Sequence, residues 1–158
     1  MTVFSNTTPL FAFVALKKFD LLREIHGPLF VAESVINECE IGGSIQVPAL
    51  RSLSWIHVVA QPAIPDSRFL MLDAGERDTI SAALDFRAEL VLLDERMGRN
   101  LAESHGLRVV GTLGTLLKAK KIGLIPAFLP LTRRLQAAGF WYHEPLVRRL
   151  AALVDETT

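Results

Sequence analysis

This sequence predicts an α/β fold with a mostly parallel central sheet, and three observations predict it. Short β-prone segments alternate with helix-forming ones, as they do when each strand is followed by a crossover helix. Leu90-Val91-Leu92-Leu93 is a continuous apolar run, which suits a strand buried on both faces of a parallel sheet. Half of the 158 residues are hydrophobic and the mean hydropathy is +0.32. That supplies the core of one compact domain and excludes disorder, a collagen repeat or a coiled coil.

The elements follow in chain order. Thr2–Ser5 is β-prone and reads as the first strand. Asn6-Thr7-Thr8-Pro9 is a helix-start signal, with a capping side chain and then Pro in the first turn, where its missing N–H costs nothing. The helix runs through Leu10 to about Lys18, and a second covers Leu21–Ile25 before the turn at Gly27-Pro28. Leu29–Val31 is a strand. Glu33–Glu40 is a helix with Val35, Ile36 and Cys39 on one side, stopped by Gly42-Gly43. Ile56–Val59 is a strand, and Pro62 and Pro65 make the next segment a loop. The strongest helix spans about 74–87, with Ile80, Ala83, Leu84 and Ala88 as its buried stripe. After the apolar run come a helix over about Arg96–His105, a strand at Leu107–Val110 and a helix over Thr112–Lys121, ended by Gly123. From about 126 the chain is helical, with a break near Gly139-Phe140. One domain spans 1–158, with no internal repeat and no linker.

Seventeen basic residues balance seventeen acidic ones, so net charge announces no polyanion partner. The distribution is uneven: residues 1–95 carry a net −6 and residues 96–158 a net +6. Such a chain can hold a cation with one part and a polyanion with the other. A single cysteine, Cys39, excludes a disulfide framework and a multi-cysteine metal site, and reads as a small core residue. No apolar run approaches the roughly 20 residues of a membrane span, and no signal peptide is recognisable. The expectation is a cytoplasmic protein.

In open parallel sheets, sites form at the carboxyl ends of strands. Asn6 follows the first strand and Asp94 follows Leu90–Leu93. A carboxylate there is costly unless paired or bound to a cation, although Asp94 also suits the role of a cap for the next helix. Glu76 lies in the first turn of its helix, where the macrodipole favours it. It falls one turn before Ile80, on the buried side, whereas Asp78 points about 200° away from it. Glu38 follows Val35 by three residues, at the edge of an apolar stripe. Gly111–Gly114 with Lys118 lacks the ending of a phosphate-binding P-loop, and no glycine fingerprint after the first strand supports a nucleotide-binding protein. The four histidines have no metal-ligand spacing and read as surface or satisfied residues. Trp55, Trp141 and Phe140 read as core or interface.

Five segments in order carry a family resemblance: Ser-Asn-Thr-Thr-Pro-Leu at 5–10, Val-Ile-Asn-Glu at 35–38, Gly-Glu at 75–76, Leu-Leu-Asp-Glu-Arg-Met-Gly-Arg at 92–99, and Val-Gly-Thr-Leu-Gly-Thr-Leu-Leu-Lys-Ala-Lys at 110–120. From residue 3 to about 141 the chain resembles the PIN-domain nucleases, specifically the DUF3368 branch. The resemblance implies a three-layer α/β/α sandwich around a short, mostly parallel sheet. It also implies Mg²⁺- or Mn²⁺-dependent cleavage of RNA, with one or two ions, leaving a 5′-phosphate and a 3′-hydroxyl. Carried over residue by residue, Asn6, Glu38, Glu76 and Asp94 are the catalytic and metal-binding set. Asn6 departs from the Asp usual in the family, and so removes one negative charge from the site. Arg96, Arg99, Lys118, Lys120 and Lys121 are candidate RNA contacts. The resemblance further implies the toxin half of a toxin–antitoxin pair, with a small antitoxin as partner and a homodimeric state. The alternative is a PIN-like fold that has lost catalysis and acts as an RNA- or protein-binding module.

Overall fold

The structure is a computed structural model and describes residues 1–157. Five strands, β1 (Val3–Ser5), β2 (Leu29–Ala32), β3 (Ile56–Val59), β4 (Leu90–Leu92) and β5 (Val109–Val110), form one sheet in the order β3-β2-β1-β4-β5, with every pair parallel. Eight helices connect and cover them: α1 (Thr7–Ala15), α2 (Asp20–His26), α3 (Glu33–Ile41), α4 (Ala74–Asp85), α5 (Arg96–Ser104), α6 (Thr112–Lys121), α7 (Leu129–Ala137) and α8 (Glu144–Ala152). The α/β sandwich expected from the sequence is present. Among the described residues no helix is long and apolar enough to cross a membrane.

The layers follow from the two-residue period of a strand. In β1, Val3 faces one core and Phe4 the other; in β4, Leu90 and Leu92 face the first, Val91 and the following Leu93 the second. The larger core takes α1, α2, α3, α6, α7 and α8, through side chains such as Phe13, Leu22, Ile36, Leu116, Leu135 and Val147. The smaller takes α4 and α5, through Ile80, Ala83 and Ala102, closed by Phe69. Because Leu90–Leu93 has a core on each side, the run carries no polar alternation.

Several expectations are corrected. Helix α1 starts at Thr7 and stops at Ala15, three residues before Lys18. The last strand is two residues long rather than four. In α4 only Ile80 and Ala83 of the expected stripe are buried; Leu84 is half-buried and Ala88 lies beyond the helix end. Trp55 is buried, its ring tilted by 47° against that of Phe19 at 5.3 Å, and Phe140 packs on the larger core, but Trp141, read as core or interface, is no part of the core, being 83% exposed. His26, read as a surface or satisfied side chain, is neither: it is buried and both ring nitrogens lack a partner.

Burial, reinforced by the positive charge of Lys118, pushes the His26 pKa down to about 4, against roughly 6.5 in an unfolded chain. Between those values the unfolded chain binds a proton that the folded chain refuses, so the stability linked to His26 is full above pH 6.5 and declines as pH falls towards 4. Urea midpoints measured from pH 7.5 to 4 should fall less steeply for His26→Leu than for the wild type. Parallel slopes would remove His26 from the pH dependence.

Candidate functional site

The chain leaves β1 to build β2 and β3 on one side, then returns to build β4 and β5 on the other. The order therefore reverses between β1 and β4, and a crevice opens there beyond their carboxyl ends. Asn6 and Asp94 stand at that edge. The Asn6 N–H donates to the Leu92 carbonyl at 2.9 Å, extending the β1–β4 ladder by one residue and fixing where the Asn6 side chain emerges.

Asn6 is 4% exposed, and its Oδ1 has no hydrogen-bond partner. Helix α3 brings Glu38 beside it, and the Thr7 hydroxyl donates a short hydrogen bond to Glu38 Oε2. Helix α4 supplies the third side. A Cβ placed on Gly75 would lie 3.0 Å from Glu38 Oε2 and 3.3 Å from Asn6 Oδ1. Glycine thus leaves a cradle lined by oxygen atoms, which any side chain would fill.

Glu76 follows. Asp73 caps α4 by accepting from the Glu76 N–H at 2.9 Å, as in a capping box. Yet the Glu76 side chain does not complete such a box: it is 6% exposed and its Oε1 has no partner. It points to the start of α5, where a Cβ on Gly98 would lie 3.4 Å from Oε1. Burial, with the negative charges of Asp73, Glu95 and Glu38, pushes the Glu76 pKa up to about 7. A buried, unpartnered carboxylate among others of its sign is a mark of a functional site. Asp78 points elsewhere, as its position predicts; it is buried and paired with Arg77 at 3.2 Å.

Asp94 is held differently. Its Oδ1 accepts from the Thr112 N–H at 2.7 Å and its Oδ2 from the Thr112 hydroxyl at 2.6 Å. It therefore caps α6, after the neighbouring strand, and not the helix that follows it in sequence. Gly111 permits this: a Cβ there would meet Asp94 Oδ1 at 2.7 Å and Arg99 Nη1 at 2.8 Å. Arg99 thus reaches the crevice. Tyr142, brought in by the α7–α8 loop, lies close enough that burial and then the Asp94 charge push its hydroxyl above the usual range.

Asn6, Glu38 and Glu76 are thus gathered around the starts of α4 and α5, with Asp94 at the neighbouring strand end. Arg96 opens α5 beside the crevice. Lys118, Lys120 and Lys121 lie elsewhere: α6 begins at the crevice with Thr112, and these lysines are roughly 9–14 Å along its axis. There Lys118 acts on His26 and Lys120 donates to the Pro126 carbonyl at 2.7 Å. The sequence reading missed Thr7, Asp73, Glu95 and Thr112, which orient or charge the site. Thr112 was open to discovery, because it too stands just past an apolar strand.

A hard cation wants oxygen ligands, and Mg²⁺ keeps several waters beside one or two carboxylates. Two buried oxygens without partners and a glycine-walled cradle fit that chemistry. Among the described residues no three His, Cys, Asp or Glu side chains stand close enough to enclose an ion by themselves; the amide oxygen of Asn6 and waters complete such a set.

Comparison with known proteins bears on the fold and the family. The fold is similar to that of a PilT N-terminus domain protein from the hyperthermophilic archaeon Sulfolobus solfataricus P2, with a TM-score of 0.52 and 16% sequence identity over 90% of this chain and 98% of that one. No match is found among functionally curated proteins. The DUF3368 family, described as a PIN domain, matches residues 2–156. The chain belongs to this DUF3368 family of PIN domains, a class whose members are generally nucleases.

Proposed function

We propose that the protein is a divalent-metal-dependent endoribonuclease, acting as the toxin of a toxin–antitoxin pair. One observation carries the reading: a buried carboxylate oxygen, Glu76 Oε1, and a buried amide oxygen, Asn6 Oδ1, have no partner, the second lining the cradle at Gly75 with Glu38 Oε2 and the first facing the neighbouring Gly98. Leaving such groups unsatisfied costs roughly 1–3 kcal/mol each, which a bound cation offsets.

In this mechanism Asn6, Glu38 and Glu76 would hold Mg²⁺ or Mn²⁺. When bound, the ion neutralises charge on the phosphate and lowers the pKa of a coordinated water. Thr7 orients Glu38 by donating to Oε2. Asp94, fixed by Thr112, stands across the crevice and orients the attacking water. The Arg99 guanidinium binds the phosphate. The water oxygen attacks phosphorus and gives up a proton, the P–O3′ bond breaks, and O3′ takes up a proton, so the products are a 5′-phosphate and a 3′-hydroxyl. Glu76 would act as a ligand in its ionised form. A small antitoxin protein that covers the crevice would silence it.

Purified protein incubated with RNA should cleave with Mn²⁺ or Mg²⁺ and stop with EDTA. Glu76→Gln and Glu38→Gln should each lose about a hundredfold or more in rate, and Asp94→Asn should also lose activity. Cleavage that survives in all three would sink the proposal. No cleavage, with no thermal shift on adding either ion, would instead favour the binding-module reading, in which Asp94 serves only to cap α6.

Gly75→Ala makes a separate test. Alanine suits a helix better than glycine by up to about 1 kcal/mol, but its Cβ fills the cradle. The ion-induced thermal shift should vanish in this variant while its melting temperature without ions is kept. A preserved shift would place the ion elsewhere.

Protons and cations compete for Glu76, whose pKa is raised to about 7. Apparent ion affinity should therefore rise as pH increases from 6 to 8. Isothermal titration with Mn²⁺ would show it, and a flat affinity over that range would exclude Glu76 as a ligand.

A further inference from the structure

The loop between α7 and α8 is extended, and its side chains alternate. Phe140 and Tyr142 turn inward and pack on the larger core, while Trp141 and His143 turn outward. Trp141 is thus held rigidly from both sides yet is 83% exposed. Exposure of an indole so firmly anchored is unusual, because tryptophan is on average highly buried. Its ring lies 6.2 Å from that of His143, inclined by 32°, so the two form one aromatic ledge.

The ledge stands between two hollows. One, of about 520 Å³, lies against Gln136, Glu144 and Pro145. The other, of about 790 Å³, runs from Trp141 to Asp94 and Arg99, with an apolar floor that includes Val110, Leu113 and Leu146. The second hollow is continuous with the crevice edge. It combines a flat aromatic wall, an apolar floor and a cationic group at the end nearest the carboxylates. That is the composition of a site for single-stranded nucleic acid, where bases stack on aromatic rings and cations meet the backbone.

We infer that this groove takes an unpaired nucleotide flanking the cleaved phosphate, with its base stacked on Trp141 and its phosphate directed to Arg99. The inference rests on the nuclease reading and adds the residue that receives a base beside the cleaved phosphate, Trp141; the paired bases of a duplex offer it no free face. The ledge acts on any base, since every base has a stacking face. His143 widens the ledge, and Arg99 supplies the cation at the end of the groove where Asp94 and Glu95 also stand.

The test measures binding in EDTA, so that it does not depend on cleavage. The probes are an eight-nucleotide oligouridine, an eight-nucleotide oligoadenosine and a blunt RNA duplex. Only two tryptophans are present and Trp55 is buried, so fluorescence reports mainly on Trp141. Both single strands should quench it and the duplex should not. By fluorescence anisotropy with labelled oligonucleotide, Trp141→Ala should bind about tenfold more weakly, whereas Trp141→Phe should retain most of the affinity. Matching circular dichroism melts would show that the fold is unchanged.

Equal affinity in wild type and Trp141→Ala, or equal binding of the duplex, would overturn the inference. Quenching of Trp141 by rising protein concentration alone, with a dimer in sedimentation, would overturn it in favour of a second copy on this face. Failure of the wild type to cut an oligonucleotide that it binds through Trp141 would sink the nuclease reading and leave the groove assignment standing.

Discussion

Strand β1 imposes the constraint on which the rest depends. It is three residues long, pairs with β2 on one side and β4 on the other, and has a core on each face. Every backbone group in it must be satisfied by a neighbouring strand, and every side chain must suit a dry environment. The one polar side chain inside the strand, Ser5, is buried and turns back to donate to the Asn6 carbonyl at 3.0 Å; the first side chain free to face the crevice comes once the strand ends, with Asn6. The same holds for β4, where Asp94 is the first polar residue after four apolar ones. Because β1 and β4 are adjacent and parallel, their ends coincide, and the crevice forms between them.

The acidic groups around the crevice live under different terms. Asp94 accepts two hydrogen bonds from Thr112, each worth roughly 1.5–3 kcal/mol to a charged acceptor. Glu38 has one such donor, Thr7. Glu76 Oε1 has none, and burial beside Asp73, Glu95 and Glu38 raises its pKa. A gradient runs from a carboxylate at rest to one held out of equilibrium with its surroundings. Folding tolerates this because the two cores on either side of the sheet are extensive.

Much of this was legible in the sequence. The alternation of strands and helices, the doubly buried run at Leu90–Leu93 and the helix at Thr112–Lys121 follow from local pattern, since each depends on neighbours within a few residues. The candidate positions Asn6, Glu76 and Asp94 were legible for a related reason, because strand ends and helix starts can be located from composition. Other features needed the third dimension. Asp94 caps α6 because β5 lies beside β4, and no spacing in the sequence reveals that neighbour. The lysines of α6 looked like part of the site until the direction of the helix carried them away from it. Trp141 read as core or interface because tryptophan is usually covered; its exposure depends on which residues of one loop the core takes up. His26 was misread for the opposite reason, since nothing local marks it as buried.

The two cores bear on the cradle in a further way. Glu38 belongs to a helix whose apolar side packs in the larger core and Glu76 to one whose apolar side packs in the smaller, and the two helices meet directly, the Ser34 hydroxyl of one donating to the Ala74 carbonyl of the other at 3.3 Å. An ion held by both, as proposed, would be a cross-layer rivet at that contact. Such a ligand adds stability in proportion to the logarithm of its occupancy, about 2.7 kcal/mol at a concentration a hundred times its Kd. The local supply of the cation would then govern how tightly the two helices hold together, besides any role in chemistry. A cell poor in that ion would contain a looser molecule, one more open to proteases.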